Sequence, residues 1–352
     1  MKAHFDPPAE WTRIETFDAH TAGEPLRVVT AGWPDIPGET ILAKRKFARE
    51  NHDDLRRALM WEPRGHADMY GCILTEPVTP DGDVGVLFLH NEGYSTMCGH
   101  GIIGLVKVGL ECGLLNLERL ERDKAGRPIV RIDTPAGRVT AKAHPQAGGD
   151  PRRVERVSFR NVPSFVLEPD VEIEVPGFRQ IRCDIAFGGA FYAYVEAADM
   201  GLAVEPEAYP QLIDAGRRVK RAVVEQCEIV HPDGDPDLNF LYGTVFVQQG
   251  EATVHSRNVC IFAEGEVDRS PTGTGVSGRA AIHHLRGELA PGESITIESI
   301  IGSKFDVSVA GQTTVGALPA IVPEVTGSAY ITGRHEFFID PGDPLRDGFF
   351  LR

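Results

Sequence analysis

The chain has little that would suit it to a polyanion or a bilayer. It contains no run of five or more Lys or Arg, and its acids outnumber its bases 51 to 36, for a formal net charge of −15. Nucleic acid and anionic membranes are therefore poor partners for it. No segment approaches the roughly 18 apolar residues of a membrane span. The start, Met1 to Trp11, sets Pro7, Pro8 and acids where a secretory signal needs an apolar core, so the expectation is a soluble cytoplasmic protein with a small-molecule partner. Six cysteines (Cys72, Cys98, Cys112, Cys183, Cys227 and Cys260) lie scattered without CxxC or HxxxH spacing, which argues against a disulfide framework, a structural zinc site or a metal-dependent lyase. Gly273-Thr274-Gly275 lacks the Lys-Ser/Thr ending of a phosphate loop and the GxGxxG spacing of a dinucleotide fold, so phosphate binding is not expected.

What is present is material for a large core. With 352 residues, 42% of them hydrophobic, the chain is expected to form two domains. Arg13 to Val29 reads as strands broken at Gly23-Glu24-Pro25. Glu39 to Trp61, free of Pro and Gly, predicts one helix, and Val84 to His90 a strand ending in the turn Asn91-Glu92-Gly93. Ile102 to Leu110 is apolar nearly all round and predicts a buried helix capped by Gly113. Short strands follow at 129–133, 137–143, 154–160, 164–168, 181–186 and 191–196. Pro145 to Pro151 is the most loop-like spacer. The order then recurs: a helix near Pro210 to Gln226, strands near 242–248 and 254–262, a Gly-rich loop, a helix from Gly275 to Arg286 capped by Gly287, and strands at 294–299, 304–309 and 312–318. The recurrence suggests a distant duplication of one α+β unit. His335 to Leu351 lies beyond what the second copy needs, and is expected to return to the first.

Two loops carry the chemistry. Met97-Cys98-Gly99-His100-Gly101 and Pro271-Thr272-Gly273-Thr274-Gly275 each set a small nucleophile-sized side chain among glycines where a helix begins, so two helix N-termini are placed to converge on one anion. A helix N-terminus favours a thiolate, which makes Cys98 the sharpest candidate; the alternative is a buried core cysteine. His100 by itself fits a structural hydrogen-bonded role as well as an acid–base one. Asp268 suits either a turn entry or a partner for a substrate ammonium. Thr272 carries a hydroxyl that does not titrate in the usable range, and no partner base is evident for it.

These two loops, together with Asp18-Ala19-His20-Thr21-Ala22-Gly23-Glu24-Pro25 and Gly188-Gly189-Ala190-Phe191-Tyr192, resemble the proline racemase family along nearly the whole chain. The resemblance implies an α+β fold of two pseudo-symmetric domains, each a strand-rich half-barrel around a central helix, of the diaminopimelate epimerase-like kind, with the active site in the interdomain cleft. The expected ranges are 1–175 plus about 335–352 for the first domain, and 176–334 for the second. It further implies that Cys98 is the proton acceptor, that amides of Gly99, His100, Gly273 and Thr274 hold a carboxylate, and that Asp268, with His100, holds a ring nitrogen. Neither metal nor other cofactor is implied.

Thr272 departs from the racemases and hydroxyproline epimerases, which carry a second cysteine there because inverting a carbon needs one base on each face. A Cys/Thr pair is similar to the trans-3-hydroxy-L-proline dehydratase branch. Stereochemistry agrees: when the 3-hydroxyl is trans to the carboxylate, the α-hydrogen and the hydroxyl share one ring face. One thiolate then serves for both proton removal and hydroxyl loss, giving pyrroline-2-carboxylate. The alternatives are a proline racemase or 4-hydroxyproline epimerase and, from another class, a non-catalytic imino-acid-binding protein. The expected partner is a small imino acid, with no nucleic acid and no membrane, and with homodimer formation left open.

Overall fold

The computed structural model describes residues 5–150, 152–233, 236–251 and 253–351; the first four residues of the start considered above, Pro151 of the spacer and Arg352 lie outside them. Strands β1 (Thr12–Thr21) and β2 (Glu24–Ala31) open the fold, followed by helices α1 (Ile41–Asn51) and α2 (Asp53–Met60). The single helix expected over Glu39 to Trp61 is thus two. His52 leaves helical geometry (φ −138°, ψ 24°), and Asp53 and Asp54 occupy the first turn of α2, where their charges meet the positive end of a new helix dipole.

Strands β3 (Tyr70–Thr75), β4 (Val84–His90) and β5 (Gly93–Ser95) lead into helix α3 (Gly99–Glu111), followed by β6 (Ile129–Thr134), β7 (Gly137–Pro145) and β8 (Val154–Arg160). Next come β9 (Ser164–Glu174), β10 (Gln180–Phe187), β11 (Phe191–Glu196), α4 (Tyr209–Gln226), β12 (Leu241–Gln249), β13 (Ser256–Phe262) and β14 (Glu266–Asp268). Helix α5 (Gly273–Leu285) precedes β15 (Ser294–Ser299), β16 (Lys304–Val315), β17 (Leu318–Gly327) and β18 (Ala329–Ile339). Gln312 to Leu318 is not a strand of its own. Val315 pairs with Leu318 across a tight hairpin at Gly316, whose φ of 54° a side chain would resist.

The pairing pattern is written twice. In the first unit β1–β2 is antiparallel, β2–β3 parallel, β3–β4–β5 antiparallel, β4–β6 parallel and β6–β7–β8 antiparallel. The second repeats it: β10–β11 antiparallel, β11–β12 parallel, β12–β13–β14 antiparallel, β13–β15 parallel and β15–β16–β17 antiparallel. Each parallel pair needs a crossover, which α1–α2, α3, α4 and α5 supply in turn. The units join where β8 pairs with β17. β9, inside the range expected for the first unit, hydrogen-bonds to β10 and β17 of the second. β18 returns to lie antiparallel on β1, Thr12 opposite Ile339.

α3 and α5 are the axles of the two units. α3 packs on β1, β2, β7, β8 and β18, and α5 on β9, β10, β11, β16 and β17. Ile102, Ile103, Leu105, Val106, Val108 and Leu110 of α3 are all buried, each worth about 1.5–3 kcal/mol on removal from water. Such burial fixes the helix rigidly, and with it the residues at its N-terminus. No helix among the described residues is long and apolar enough to cross a membrane.

Candidate active site

The two axles meet end to end. Cys98 is the N-cap of α3 and Thr272 that of α5, and the glycine that follows each one faces the other. A β-carbon on Gly99 would fall 2.4 Å from Gly273 Cα, and one on Gly273 2.5 Å from Gly99 Cα. Only hydrogen fits at either position. The first-turn amides of both helices, which have no carbonyl four residues back to bond, therefore open toward a shared space.

That space is a cavity of about 20 Å³ lined by Tyr70, Met97, Cys98, Gly99, His100, Tyr192, Tyr242, Cys260, Phe262, Asp268, Thr272, Gly273 and Thr274. All seven residues singled out from the sequence (Cys98, Gly99, His100, Asp268, Thr272, Gly273 and Thr274) are brought together there. A volume of this size suits a water molecule. A larger groove of about 780 Å³, beside Trp33, Lys44 and Glu76, contains none of these residues.

Cys98 Sγ accepts a hydrogen bond from Gly101 N–H at 3.2 Å, and His100 Nδ1 stands 3.2 Å from it. The helix-start contribution expected from the sequence is thus present. It is outweighed: burial pushes the Cys98 thiol well up, with Asp268 adding to the rise and the Gly101 amide opposing it. Burial likewise pushes His100 down to about 4, against the opposing influence of Asp268. In the closed cavity both groups are held neutral, because a lone charge there loses its water.

Asp268 is buried at the end of β14, and its Oδ1 accepts from Ser270 N at 2.8 Å; Ser270 Oγ in turn accepts from Thr272 N at 3.1 Å. Arg269 turns the other way. Its backbone N and its Nε donate to Glu24 Oε2 at 2.8 and 2.7 Å, and its Nη2 donates to Asp68 O at 2.8 Å. Asp68 Oδ1 also accepts from Val267 N at 3.0 Å. Glu24 and Asp68 belong to the first unit, so it grips the strand and loop that present Asp268 in the second. The Asp18–Pro25 segment lies outside the cavity lining and contributes this grip through Glu24.

Thr272 differs from Cys98 in more than its side chain. Its φ is 65°, an uncommon conformation for a β-branched residue, and its buried Oγ1 has no hydrogen-bond partner. A strained backbone and an orphaned hydroxyl directed at one small space mark a place where a ligand belongs.

Sequence reading missed the rest of the cavity lining. Tyr70 sits on a strand that was not predicted, and Tyr242, Cys260 and Phe262 lie in strands where alternation alone gives no sign of a site. Tyr192 was within a quoted motif, and its hydroxyl bonds Thr274 Oγ1 at 2.6 Å.

A family model described as proline racemase matches residues 16–350. A trans-3-hydroxy-L-proline dehydratase of Colwellia psychrerythraea is 48% identical, over 96% of this chain and 93% of its own. A 3-hydroxyproline 2-epimerase of Burkholderia multivorans is 44% identical, over 96% of this chain and 98% of its own. The crystal structure of a hydroxyproline epimerase from Agrobacterium vitis, with bound trans-4-hydroxy-L-proline, aligns with a TM-score of 0.88 at 32% identity, covering 97% of this chain and 96% of that one. Likeness in sequence and in backbone therefore runs from the first strand to the last and includes both loops that the fold sets face to face: the chain belongs to the proline racemase family.

Proposed function

We propose that the protein dehydrates trans-3-hydroxy-L-proline to pyrroline-2-carboxylate. The observation that carries this reading is the asymmetry across the Gly99–Gly273 contact, a thiol at the start of one helix and an alcohol at the start of the other. The substrate carboxylate takes the first-turn amides of Gly99, His100, Gly273 and Thr274, and Asp268, with His100, holds the ring nitrogen. Cys98 loses its thiol proton to solvent before the substrate is bound, and the thiolate, to which the Gly101 amide donates, removes the α-proton. The electron pair left at the α-carbon spreads into the carboxylate, where both helix termini stabilise the enolate-like charge.

That pair then forms the α–β double bond as the C3–O bond breaks, and the thiol returns its proton to the departing hydroxyl, which leaves as water. Both events occur on the Cys98 face, so no second base is asked of Thr272. The cyclic enamine tautomerises to the pyrroline. The name of the Colwellia relative supports this reading, and that of the Burkholderia relative supplies its rival.

Incubation with trans-3-hydroxy-L-proline, L-proline and trans-4-hydroxy-L-proline in heavy water, followed by NMR, separates them. The expected result is loss of the first substrate alone, with a pyrroline product. Inverted amino acid carrying deuterium at the α-carbon, with no water lost, would overturn the assignment. A saturable thermal shift with no turnover over hours would make the protein a binder.

A further inference from the structure

The duplicated pairing pattern lets the two units be compared residue by residue around the cavity. In the second unit the last three residues of β13 pair with β14 so that Cys260 faces Asp268; in the first, the last three of β4 pair with β5 so that Phe88 faces Ser95. Ser95 is thus the counterpart of Asp268. It does not stand alone: its Oγ lies 2.5 Å from the Tyr70 hydroxyl, which lies 3.3 Å from that of Tyr242. Where the second unit presents a carboxylate, the first presents the Ser95 and Tyr70 hydroxyls, and these reach a third, that of Tyr242 on β12 of the second unit.

The substrate has a matching inequality. On either side of the α-carbon stand the ring nitrogen and C3, and with the carboxylate fixed on the two helix ends, a nitrogen at Asp268 turns C3 toward the related position. The 3-hydroxyl shares the Cys98 face, and Tyr70 lines the same cavity as that sulfur. We propose that the Tyr242 hydroxyl, backed by Tyr70 and Ser95, receives the C3 hydroxyl of the substrate and is the feature by which the site tells a 3-hydroxylated ring from an unsubstituted one.

Three further observations fit. Tyr242 and Tyr70 both line the cavity, yet the Tyr242 hydroxyl makes just the one long contact among the described residues, unusual for a buried phenol. The Tyr242 ring is held in place, stacked on Phe262 at 5.2 Å and edge-on to Tyr192 at 5.8 Å and His90 at 5.9 Å, so its oxygen is fixed in position. Burial pushes both phenols well up, which keeps them protonated and able to donate to an oxygen that is gaining charge as it leaves. A site built to bond a hydroxyl rejects the analogue lacking it, because its own polar groups are then left unpaired.

This proposal rests on the dehydratase reading for its substrate, and its test is arranged so that the two can fail separately. In a Cys98→Ala background, which removes the base, calorimetry measures binding of trans-3-hydroxy-L-proline and of L-proline. The expected preference for the hydroxylated ring is roughly tenfold or more, and Tyr242→Phe, which deletes one oxygen, should erase it while leaving L-proline affinity within about threefold. With Cys98 intact, Tyr242→Phe should lower kcat/KM for trans-3-hydroxy-L-proline by roughly 100-fold. Tyr70→Phe should act in the same direction and more weakly. A preference that survives Tyr242→Phe, or L-proline binding that falls in parallel, overturns the role given to Tyr242. If the preference is erased as expected but the parent protein dehydrates nothing, the reaction assignment falls and the hydroxyl site stands.

Discussion

The two units share a pairing pattern and a central helix, yet they finish those helices differently. At α3 the N-cap is extended (φ −145°, ψ 108°) and its sulfur accepts from Gly101 N; at α5 the N-cap is left-handed and its hydroxyl caps nothing. Behind Cys98 stands the ring of Phe88, close enough that a side chain on Gly101 would meet both. At the register position equivalent to Phe88 the second unit has the smaller Cys260. A duplicated scaffold thus fixes where reactive groups sit and leaves their identity free. One unit supplies a thiol, and the other an alcohol and a carboxyl group.

The largest effect on that asymmetry should come from Cys98→Ala. Dehydration should fall by roughly 1,000-fold or more while far-UV circular dichroism stays unchanged; a variant retaining a tenth of the activity would mean that the proton leaves by another route. Gly273→Ala should come next. Its new methyl would lie 2.5 Å from Gly99 Cα, so the helix ends must separate. The expected cost is about 1–3 kcal/mol in urea unfolding, with activity lost because the carboxylate clamp no longer closes. Unchanged stability and turnover would show that the two termini do not act as one site.

Thr272→Cys should have the smallest effect on folding and the most informative effect on chemistry. It gives both helix starts a thiol, and slow deuterium incorporation with inversion at the α-carbon should then accompany dehydration. If no exchange appears, the second face is closed to proton transfer by something other than the choice of side chain.

Much of the architecture was legible because it rests on local signals. Gly113 and Gly287 follow the ends of the two buried helices as their positions suggested, and the loops Met97–Gly101 and Asp268–Gly275 could be picked out by glycine spacing at a helix start. The expected run from Glu39 to Trp61 failed at His52, where acids able to open a new helix outweighed the lack of Gly and Pro. The extended pairing of β16, β17 and β18 went unseen because a two-residue hairpin at Gly316 leaves so small a mark. The depressing influence of the helix start on Cys98 was foreseen; its defeat by burial was not, since desolvation depends on how tightly the units close. Tyr70 and Tyr242 were invisible for a related reason. A tyrosine in a strand reads as core, and only the tertiary fold brings two phenol oxygens and Ser95 to one point.

The return of β18 to β1 has a consequence for biosynthesis. Thr12 leaves the ribosome long before its partner Ile339. The strands from β9 to β17 are contiguous in the chain, whereas the sheet around α3 lacks an edge until β18 has been made. During that interval β1 exposes an unpaired edge, which makes the nascent amino-terminal half the more aggregation-prone part of the polypeptide.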